Sequence, residues 1–422
     1  MRKNGLVLAM VSLGHTGVHF YSMAFTIILA LIKDEFGLTF SQAGMILSVI
    51  TAVSFVVNIP SGALADVMGK KRAQMGVALL APSAGFFIVG FAPTYAFVLL
   101  TIGLVGIGSA LWHPPAMSTL SDRFPGRRGF ALSWHEFGAN LGDFLGPALT
   151  GIILATMLWR QVLNLYIIPG LVLAILIWII VPDMKAARKQ VMLVSDYRRA
   201  LGSLFTNPRL LQVSSLSALR TMSQQALTFI LPLYLFSTLG LGAALTGIYT
   251  AMLTLPAMVA GPIMGTLSDR MGRKPVLVFG LGAAAVLSSL LAVFRPSVEV
   301  SAFSSSGLES TLLAIRAAFG GGDFFLISLI LLGLFLFSMR PIIFAYAMDV
   351  TPKEVGATTV GFVFSTNQIL SAVAPFIAGL IADMAGPSSA FFFVGGLIVT
   401  ACIVAALLPK PLPPEASVRG AS

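Results

Sequence analysis

Long apolar segments recur along this sequence and constrain its fold more than any other feature. A helix needs about 20 apolar residues to cross a bilayer. Segments of that kind lie near 6–32, 40–64, 73–91, 96–120, 130–156, 162–182, 210–236, 243–267, 275–294, 324–349, 356–382 and 388–409. Each is continuously apolar, whereas membrane β-strands alternate apolar and polar residues over about 10 positions. The sequence therefore predicts an all-α polytopic membrane protein with 12 transmembrane helices.

Composition agrees with this prediction and excludes several classes of protein. Charged residues make up 10% of the chain, against about 25% in soluble domains, so they cannot build a water-facing surface. A soluble enzyme, a disordered protein and a nucleic-acid-binding module are thereby excluded. The single cysteine, Cys402, allows no disulfide within the chain. Because no phosphate loop, metal-ligand cluster or nucleophile triad is visible, we expect no enzyme activity, no metal and no cofactor.

The distribution of basic residues predicts the orientation in the membrane. With the N-terminus inside, the cytoplasmic segments hold 20 of the 26 Lys and Arg residues. The opposite loops hold four, namely Lys33, Arg160, Arg295 and Arg316. Since Lys and Arg accumulate in cytoplasmic loops, we expect both termini to be cytoplasmic and the protein to lie in the bacterial inner (plasma) membrane.

The two halves of the chain repeat each other. The segment 62–72 returns as 265–275 at an offset of 203, and His113-Pro114 matches Arg340-Pro341 at an offset of 227. The difference, 227 − 203 = 24, indicates an insertion in the second half. The repeat predicts an N-terminal six-helix bundle (1–182), a cytoplasmic linker (183–209), a C-terminal bundle (210–409, with an extracytoplasmic loop at 295–323) and a cytoplasmic tail (410–422). Parallel six-helix repeats are a transporter architecture with the binding site between the halves.

The repeated segments predict a pair of conformational latches, which we call the paired loops. Their matching residues are Gly62, Asp66, Gly69 and Arg72 in the first half, and Gly265, Asp269, Gly272 and Arg273 in the second. Glycine permits close helix approach, and an aspartate can accept N–H groups at a neighbouring helix N-terminus. The alternative is that the basic residues merely fix the topology, but the whole pattern occurring twice favours the latch.

The paired loops resemble the signature loop of the major facilitator superfamily. Segments 35–46, 106–114 and 126–133 further resemble its fosmidomycin-resistance branch. This resemblance implies two six-helix bundles, alternating access, drug export against protons and a functional monomer. The chain departs from the family pattern at Ile102, where drug–proton antiporters often carry an arginine.

Predicted span 5 carries a glycine stripe that is similar to the antiporter signature of the same family. Its members are Gly138, Gly142, Gly146, Pro147 and Gly151, and Thr150 replaces one expected glycine. Four-residue glycine spacing makes a smooth face for close helix contact, and proline permits a bend. Ordinary tight packing is the alternative interpretation.

Four basic or potentially basic residues lie inside predicted spans 1, 4, 7 and 10. They are His15, His113, Arg220 and Arg340, each roughly 10–15 Å from the cytoplasmic end of its span. Ionisable residues inside a membrane are rarely kept without a role, and in the family these spans line the cavity. We therefore expect them to bind an anionic substrate, together with His19 one turn after His15. The alternative is internal pairing, for instance of an arginine with an acid of another span.

Span 5 also supplies the candidates for proton coupling. Glu136, Asn140 and Asp143 fall at i, i+4 and i+7 on one helix face, with Asn140 as a further substrate ligand. Asp143 or Glu136 is expected to carry the proton, with His113 as a rival, unless one of the acids neutralises a buried arginine. His135 is adjacent to Glu136 but is expected to point about 100° away.

These observations favour a secondary transporter whose partners are an anionic small molecule, protons and the lipid bilayer. The preferred function is proton-coupled export of a small organic anion or drug-like compound by alternating access. The first alternative is proton-coupled uptake of a carboxylate or phosphonate by symport. The second is a non-transporting membrane sensor, which two intact paired loops argue against.

Overall fold

The computed structural model describes residues 2–68, 70–182, 206–296, 323–351 and 356–409. The predicted linker (183–209), the predicted loop (295–323) and the tail (410–422) lie largely or wholly outside these residues. Gly69 and the side chain of Asp66 also lie outside them.

The described residues form one helix for each predicted span, and five of these helices consist of two consecutive segments. We number the helices α1 to α12 in chain order. Their bounds are Arg2–Glu35 (α1), Phe40–Met68 (α2), Lys71–Val89 (α3), Tyr95–Thr101 with Gly103–Arg123 (α4), Arg128–Leu154 (α5), Trp159–Leu165 with Ile167–Ile180 (α6), Pro208–Leu233 with the π-helical turn Tyr234–Thr238 (α7), Ala243–Thr254 with Ala257–Met271 (α8), Arg273–Val293 (α9), Phe324–Asp349 (α10), Gly356–Ala372 with Ala374–Ala385 (α11) and Ser389–Ala406 (α12). Eleven of them are long and apolar enough to cross a membrane. The remaining helix, α7, is more polar because it carries Arg220 and several Ser, Thr and Gln residues.

Local sequence explains where the helices of the C-terminal half begin. The Asn207 side chain accepts the N–H of Arg209 at 3.0 Å and caps α7, with Pro208 in the first helical turn, where its missing N–H does no harm. Asp323 caps α10 in the same way, accepting the N–H of Phe325 at 2.9 Å. The hydroxyl of Tyr249 donates to the other Asp323 oxygen at 2.5 Å, which ties α8 to α10.

The glycine stripe of α5 lies directly against α1. A β-carbon on Gly138, Gly142 or Gly146 would collide with backbone carbonyls of α1. These carbonyls are one helical turn apart, on Ser12, Thr16 and Phe20. Further along α5, Gly151 meets Gly247 of α8 in the other bundle. The stripe therefore brings α5 close to helices of both halves.

Contacts between the two bundles run along α2 with α11, α5 with α8 and α1 with α7. We call the end of the molecule where α1 begins and α12 ends the terminal face, and the opposite end the distal face. At the distal face, Ser237 in the π-helical turn that ends α7 donates to Asp34 of α1 at 2.9 Å. Of the residues predicted to bind substrate, the three histidines and Asn140 lie on α1, α4 and α5 of the N-terminal bundle, and the two arginines lie on α7 and α10 of the C-terminal bundle.

Candidate functional site

All four histidines of the chain lie in one cluster between α1, α4 and α5. His15 is fully buried, and its ring stacks on that of His135 with the centroids 3.7 Å apart. The indole N–H of Trp112 donates to Nε2 of His135 at 3.2 Å. Although His135 was expected to point away from the predicted site, the fold therefore brings it into the cluster.

The hydrogen bonds of His15 and His113 fix which ring nitrogen carries a proton. Nδ1 of His15 lies 2.7 Å from the carbonyl oxygen of His135. Nδ1 of His113 lies 3.0 Å from the carbonyl oxygen of Ser109. Because a carbonyl only accepts, both Nδ1 atoms must be protonated, and in the neutral rings both Nε2 atoms carry lone pairs. These two Nε2 atoms lie 3.3 Å apart.

Asp143 pairs with the third histidine of this group. Nδ1 of His19 donates to Oδ1 of Asp143 at 2.8 Å, which joins α1 to α5. The side chains are 22% and 16% exposed, so the pair is partly accessible. The predicted proton carrier Asp143 and the predicted substrate ligand His19 thus form one unit, and both roles remain predictions.

Glu136 and Arg340 form an ion pair between the two bundles. Nη2 of Arg340 on α10 lies 3.2 and 3.4 Å from the two carboxylate oxygens of Glu136 on α5. The arginine and glutamate side chains are 37% and 50% exposed, so they face open space. The pairing of an arginine with an acid of another span, which the sequence left as an alternative, is present here. Asn140, one turn along α5, is half-buried on the same helix face.

Arg220 lies in a different environment from Arg340. Only 2% exposed, it donates to the backbone carbonyls of Leu336 at 2.9 Å and Phe337 at 3.4 Å. Pro341, four residues after Phe337, has no N–H to offer that carbonyl. Arg220 therefore replaces a backbone bond missing at the proline of α10. The predicted role of Arg220 in anion binding remains a prediction, and its observed contacts lie within the C-terminal bundle.

The paired loop of the second half makes its polar contacts within that half. Arg273 forms an ion pair with Asp269 and reaches Asp349 at 3.3 Å. Gly272 has a φ of +92°, a conformation that favours glycine, and it forms the turn between α8 and α9. A β-carbon on Gly265 would meet no described atom within 4 Å. The close helix approach predicted for this glycine is therefore not used in this conformation.

The first paired loop shows a related arrangement where it is described. A β-carbon on Gly62 would likewise meet no described atom within 4 Å. The guanidinium of Arg72 lies 4.3 Å from the ring centroid of Trp178 and donates to the Trp178 carbonyl at 3.2 Å. These contacts hold the start of α3 against α6 within the N-terminal bundle.

A latch-like contact that the sequence did not reveal lies at the distal face. Asp383 of α11 accepts backbone N–H groups from the first turn of α2, and helix packing around it is close. A β-carbon on Gly44 would collide with the Pro375 carbonyl, and one on Gly379 with the Phe40 carbonyl. Two signals for this contact were visible in the sequence, namely an acid at the end of span 11 and the residues Thr-Phe-Ser at the start of span 2. Their proximity was not, since 343 residues separate Asp383 from Phe40.

Two repeated six-helix halves with a polar site between them define the class of secondary transporters. The chain belongs to the Major Facilitator Superfamily, whose family pattern it matches over residues 11–322 and 218–422. This confirms the resemblance and the 12-helix fold predicted from the sequence. The protein is a membrane transporter and not an enzyme.

Individual proteins of this family are similar over nearly the whole chain. The fosmidomycin resistance protein of Escherichia coli is 25% identical over 384 residues, covering 89% of this chain and 86% of that protein. A probable sulfoacetate transporter of Cupriavidus necator is 22% identical over 399 residues, covering 90% and 88%. The crystal structure of a bacterial homologue of the human lysosomal transporter Spinster superposes with a TM-score of 0.76 at 15% identity, covering 96% and 97%.

Proposed function

We propose that this protein moves small organic anions together with protons by alternating access. The observation that carries this proposal is the Glu136–Arg340 ion pair, which bridges the two bundles at 3.2 Å with both side chains partly exposed. A carboxylate, sulfonate or phosphonate can take the place of Glu136 at the guanidinium, which holds such groups by two parallel hydrogen bonds.

Anion binding at Arg340 would favour proton binding at Glu136. A bound anion displaces the Glu136 carboxylate and repels its charge, and protonation of Glu136 removes that repulsion. The anion and the proton therefore assist each other in binding. Two ligands that bind together are carried in the same direction, so the pair favours co-transport, which the sequence analysis held as its first alternative.

The proposed substrate class agrees with the surroundings of the ion pair and with one relative. Asn140 lies one turn from Glu136 and offers an amide for further hydrogen bonds to an anion. His19 and His113 lie on neighbouring helices. The probable sulfoacetate transporter among the relatives has a name that denotes a small organic anion.

The conformation of the structure also has an interpretation within this proposal. The basic residues favour a cytoplasmic terminal face. Contacts at the distal face join the two bundles. Near the terminal face, by contrast, Glu136 and Arg340 have exposed side chains. Glu136 lies eight residues from the terminal-face end of α5, and Arg340 lies nine residues from that of α10. We infer that the transporter is in an inward-facing state.

Export in exchange for protons is the second candidate, and similarity to the fosmidomycin resistance protein favours it. Antiport requires the proton and the substrate to exclude each other. In that case the proton would bind at a group that the substrate occupies, and the substrate would leave when the proton arrives.

Proteoliposomes that enclose a pH-sensitive dye separate the two candidates. Sulfoacetate is a suitable first probe because its sulfonate stays charged and cannot cross the lipid. Its entry through a co-transporter acidifies the lumen, whereas entry through an antiporter makes the lumen alkaline. Vesicles with Arg340→Gln serve as the matched control and should show neither change. If a thermal-shift screen finds other anions that bind, the same assay applies to them.

A further inference from the structure

We infer that His15, His19 and His113 form a binding site for a divalent transition-metal ion of the zinc type. One ring nitrogen of each of the three lies within 4.8 Å of those of the other two. They come from two helices, α1 and α4, that the fold places side by side. Nothing in the anion proposal requires this site.

The protonation pattern leaves the three rings suited to a metal. Each has its Nδ1 directed at an oxygen acceptor, namely the His135 carbonyl for His15, the Ser109 carbonyl for His113 and the Asp143 carboxylate for His19. Each Nδ1 is therefore the protonated nitrogen, and each Nε2 has a lone pair. Neutral imidazole with a free lone pair is the form that binds metals.

The distance between two of these Nε2 atoms matches the spacing of two ligands in tetrahedral coordination. Nε2 of His15 and Nε2 of His113 lie 3.3 Å apart, a repulsive arrangement for two lone pairs with nothing between them. Two nitrogens bound to Zn²⁺ at about 2.0–2.1 Å with a tetrahedral angle are about 3.3–3.4 Å apart. A metal ion between the two rings converts the repulsion into two coordinate bonds.

Oxygen acceptors hold the ring nitrogens that face away from the proposed metal position. A carboxylate or carbonyl bound to the other ring nitrogen fixes the tautomer and raises the basicity of the ligand. Asp143 does this for His19, and backbone carbonyls do it for the other two. His135 is excluded as a ligand because its Nε2 accepts the Trp112 N–H at 3.2 Å.

Access and charge are also consistent with such a site. His15 is fully buried, whereas the His19 side chain is 22% exposed, so an ion can enter from the side of His19. Asp143 offsets one of the two positive charges of the ion. The remaining charge attracts an anion, whose oxygen, like that of water, is a suitable fourth ligand.

Titration with Co²⁺ tests the site, because tetrahedral Co²⁺ absorbs in the visible range. The full-length protein, purified in detergent, freed of any affinity tag and treated with a chelator, should bind one Co²⁺ per chain and release it to Zn²⁺. His15→Gln and His113→Gln should abolish the absorption. Asp143→Asn should weaken binding about 10- to 100-fold, because it removes the negative charge of the group that holds Nδ1 of His19. Glu35→Gln, which removes a carboxylate at the opposite end of α1, is the matched control and should bind Co²⁺ as the wild type does.

Two results would overturn the inference. One is the absence of stoichiometric Co²⁺ absorption in the wild type, which would mean that a proton rather than a metal joins the two Nε2 atoms. The other is unchanged binding in Asp143→Asn and in a folded His113→Gln protein, with folding checked by gel filtration. Because no anion is present in this assay, its failure leaves the anion proposal untouched.

Discussion

The carboxylate of Asp383, near the end of α11, accepts the backbone N–H of Phe40 at 2.7 Å in the first turn of α2. Its second oxygen accepts the N–H of Ser41 at 2.9 Å. A negative charge is thus placed at the positive end of a helix in the opposite bundle. The contact joins the two halves at the distal face, and opening that face must break it.

We expect Asp383→Asn to shift the protein towards the conformation that is open at the distal face. A charge at a helix N-terminus contributes about 0.3–1 kcal/mol, so the ratio of the two states should change up to about fivefold. Spin labels at Ala96 and Phe324, in a Cys402→Ser background, report the distance across this face. Both positions are exposed.

The matched control for this prediction is Glu35→Gln. It removes a charge at the same face, but Glu35 pairs with Trp159 and Arg160 inside the N-terminal bundle. The label distances should stay unchanged in the control. Equal distance distributions in Asp383→Asn and the wild type would remove this contact from the gating account.

The two intramembrane arginines should differ in their effect on stability. Arg220→Gln leaves the Phe337 carbonyl, which Pro341 cannot bond, without its donor in the interior of the bundle. Each such hydrogen bond to a charged group contributes about 1.5–3 kcal/mol. Arg340→Gln removes only an ion pair that faces open space. Thermal unfolding in detergent should therefore show a clear loss for Arg220→Gln and little change for Arg340→Gln.

Anion binding should show the opposite order, with a larger loss of affinity for Arg340→Gln than for Arg220→Gln. We expect Arg340→Gln to abolish binding and Arg340→Lys to restore it only in part, because lysine lacks the planar fork of arginine. Strong binding by a folded Arg340→Gln protein, or equal stability losses for both arginines, would contradict the roles assigned here.

Glycines of the two halves should respond differently to alanine. Gly138→Ala pushes a methyl group into a backbone carbonyl of α1 and should destabilise the protein by about 1–3 kcal/mol. Gly265→Ala has open space in this structure and should fold as well as the wild type. If the paired loops close in another conformation, Gly265→Ala should still slow transport in proteoliposomes. Unchanged transport would mean that Gly265 has no part in a latch.

The fold could be predicted from the sequence because its controlling signals are local. Continuous apolar runs predict the spans, and the distribution of Lys and Arg among the loops predicts the orientation. The offset of 203 residues between Asp66 and Asp269 reveals the repeat. The helix that departs most from the apolar pattern, α7, carries Arg220. The carbonyls near Pro341 that accept from Arg220 explain why this helix carries a buried charge.

The candidate site could be predicted only in part, because it depends on distances between helices. The placement of His15, His113 and Arg340 in cavity-lining spans followed from the resemblance to the family, and their similar depth followed from their positions along each helix. The contact between His15 and His113 did not, since they lie 98 residues apart, and for that reason no metal-ligand cluster was expected. The acid that pairs with Arg340 was one of two candidates on α5, and only the packed structure distinguishes Glu136 from Asp143.

Calorimetric titration of an anion in two buffers of different ionisation heat tests the central claim most directly, because it counts the protons taken up on binding. For the wild type near neutral pH we predict uptake approaching one proton per anion, and an affinity that rises up to about tenfold per unit fall in pH. Glu136→Gln should take up none and bind with an affinity independent of pH. Release of protons on binding, or the same uptake in Glu136→Gln as in the wild type, would contradict the proposal that anion and proton bind together at Arg340 and Glu136.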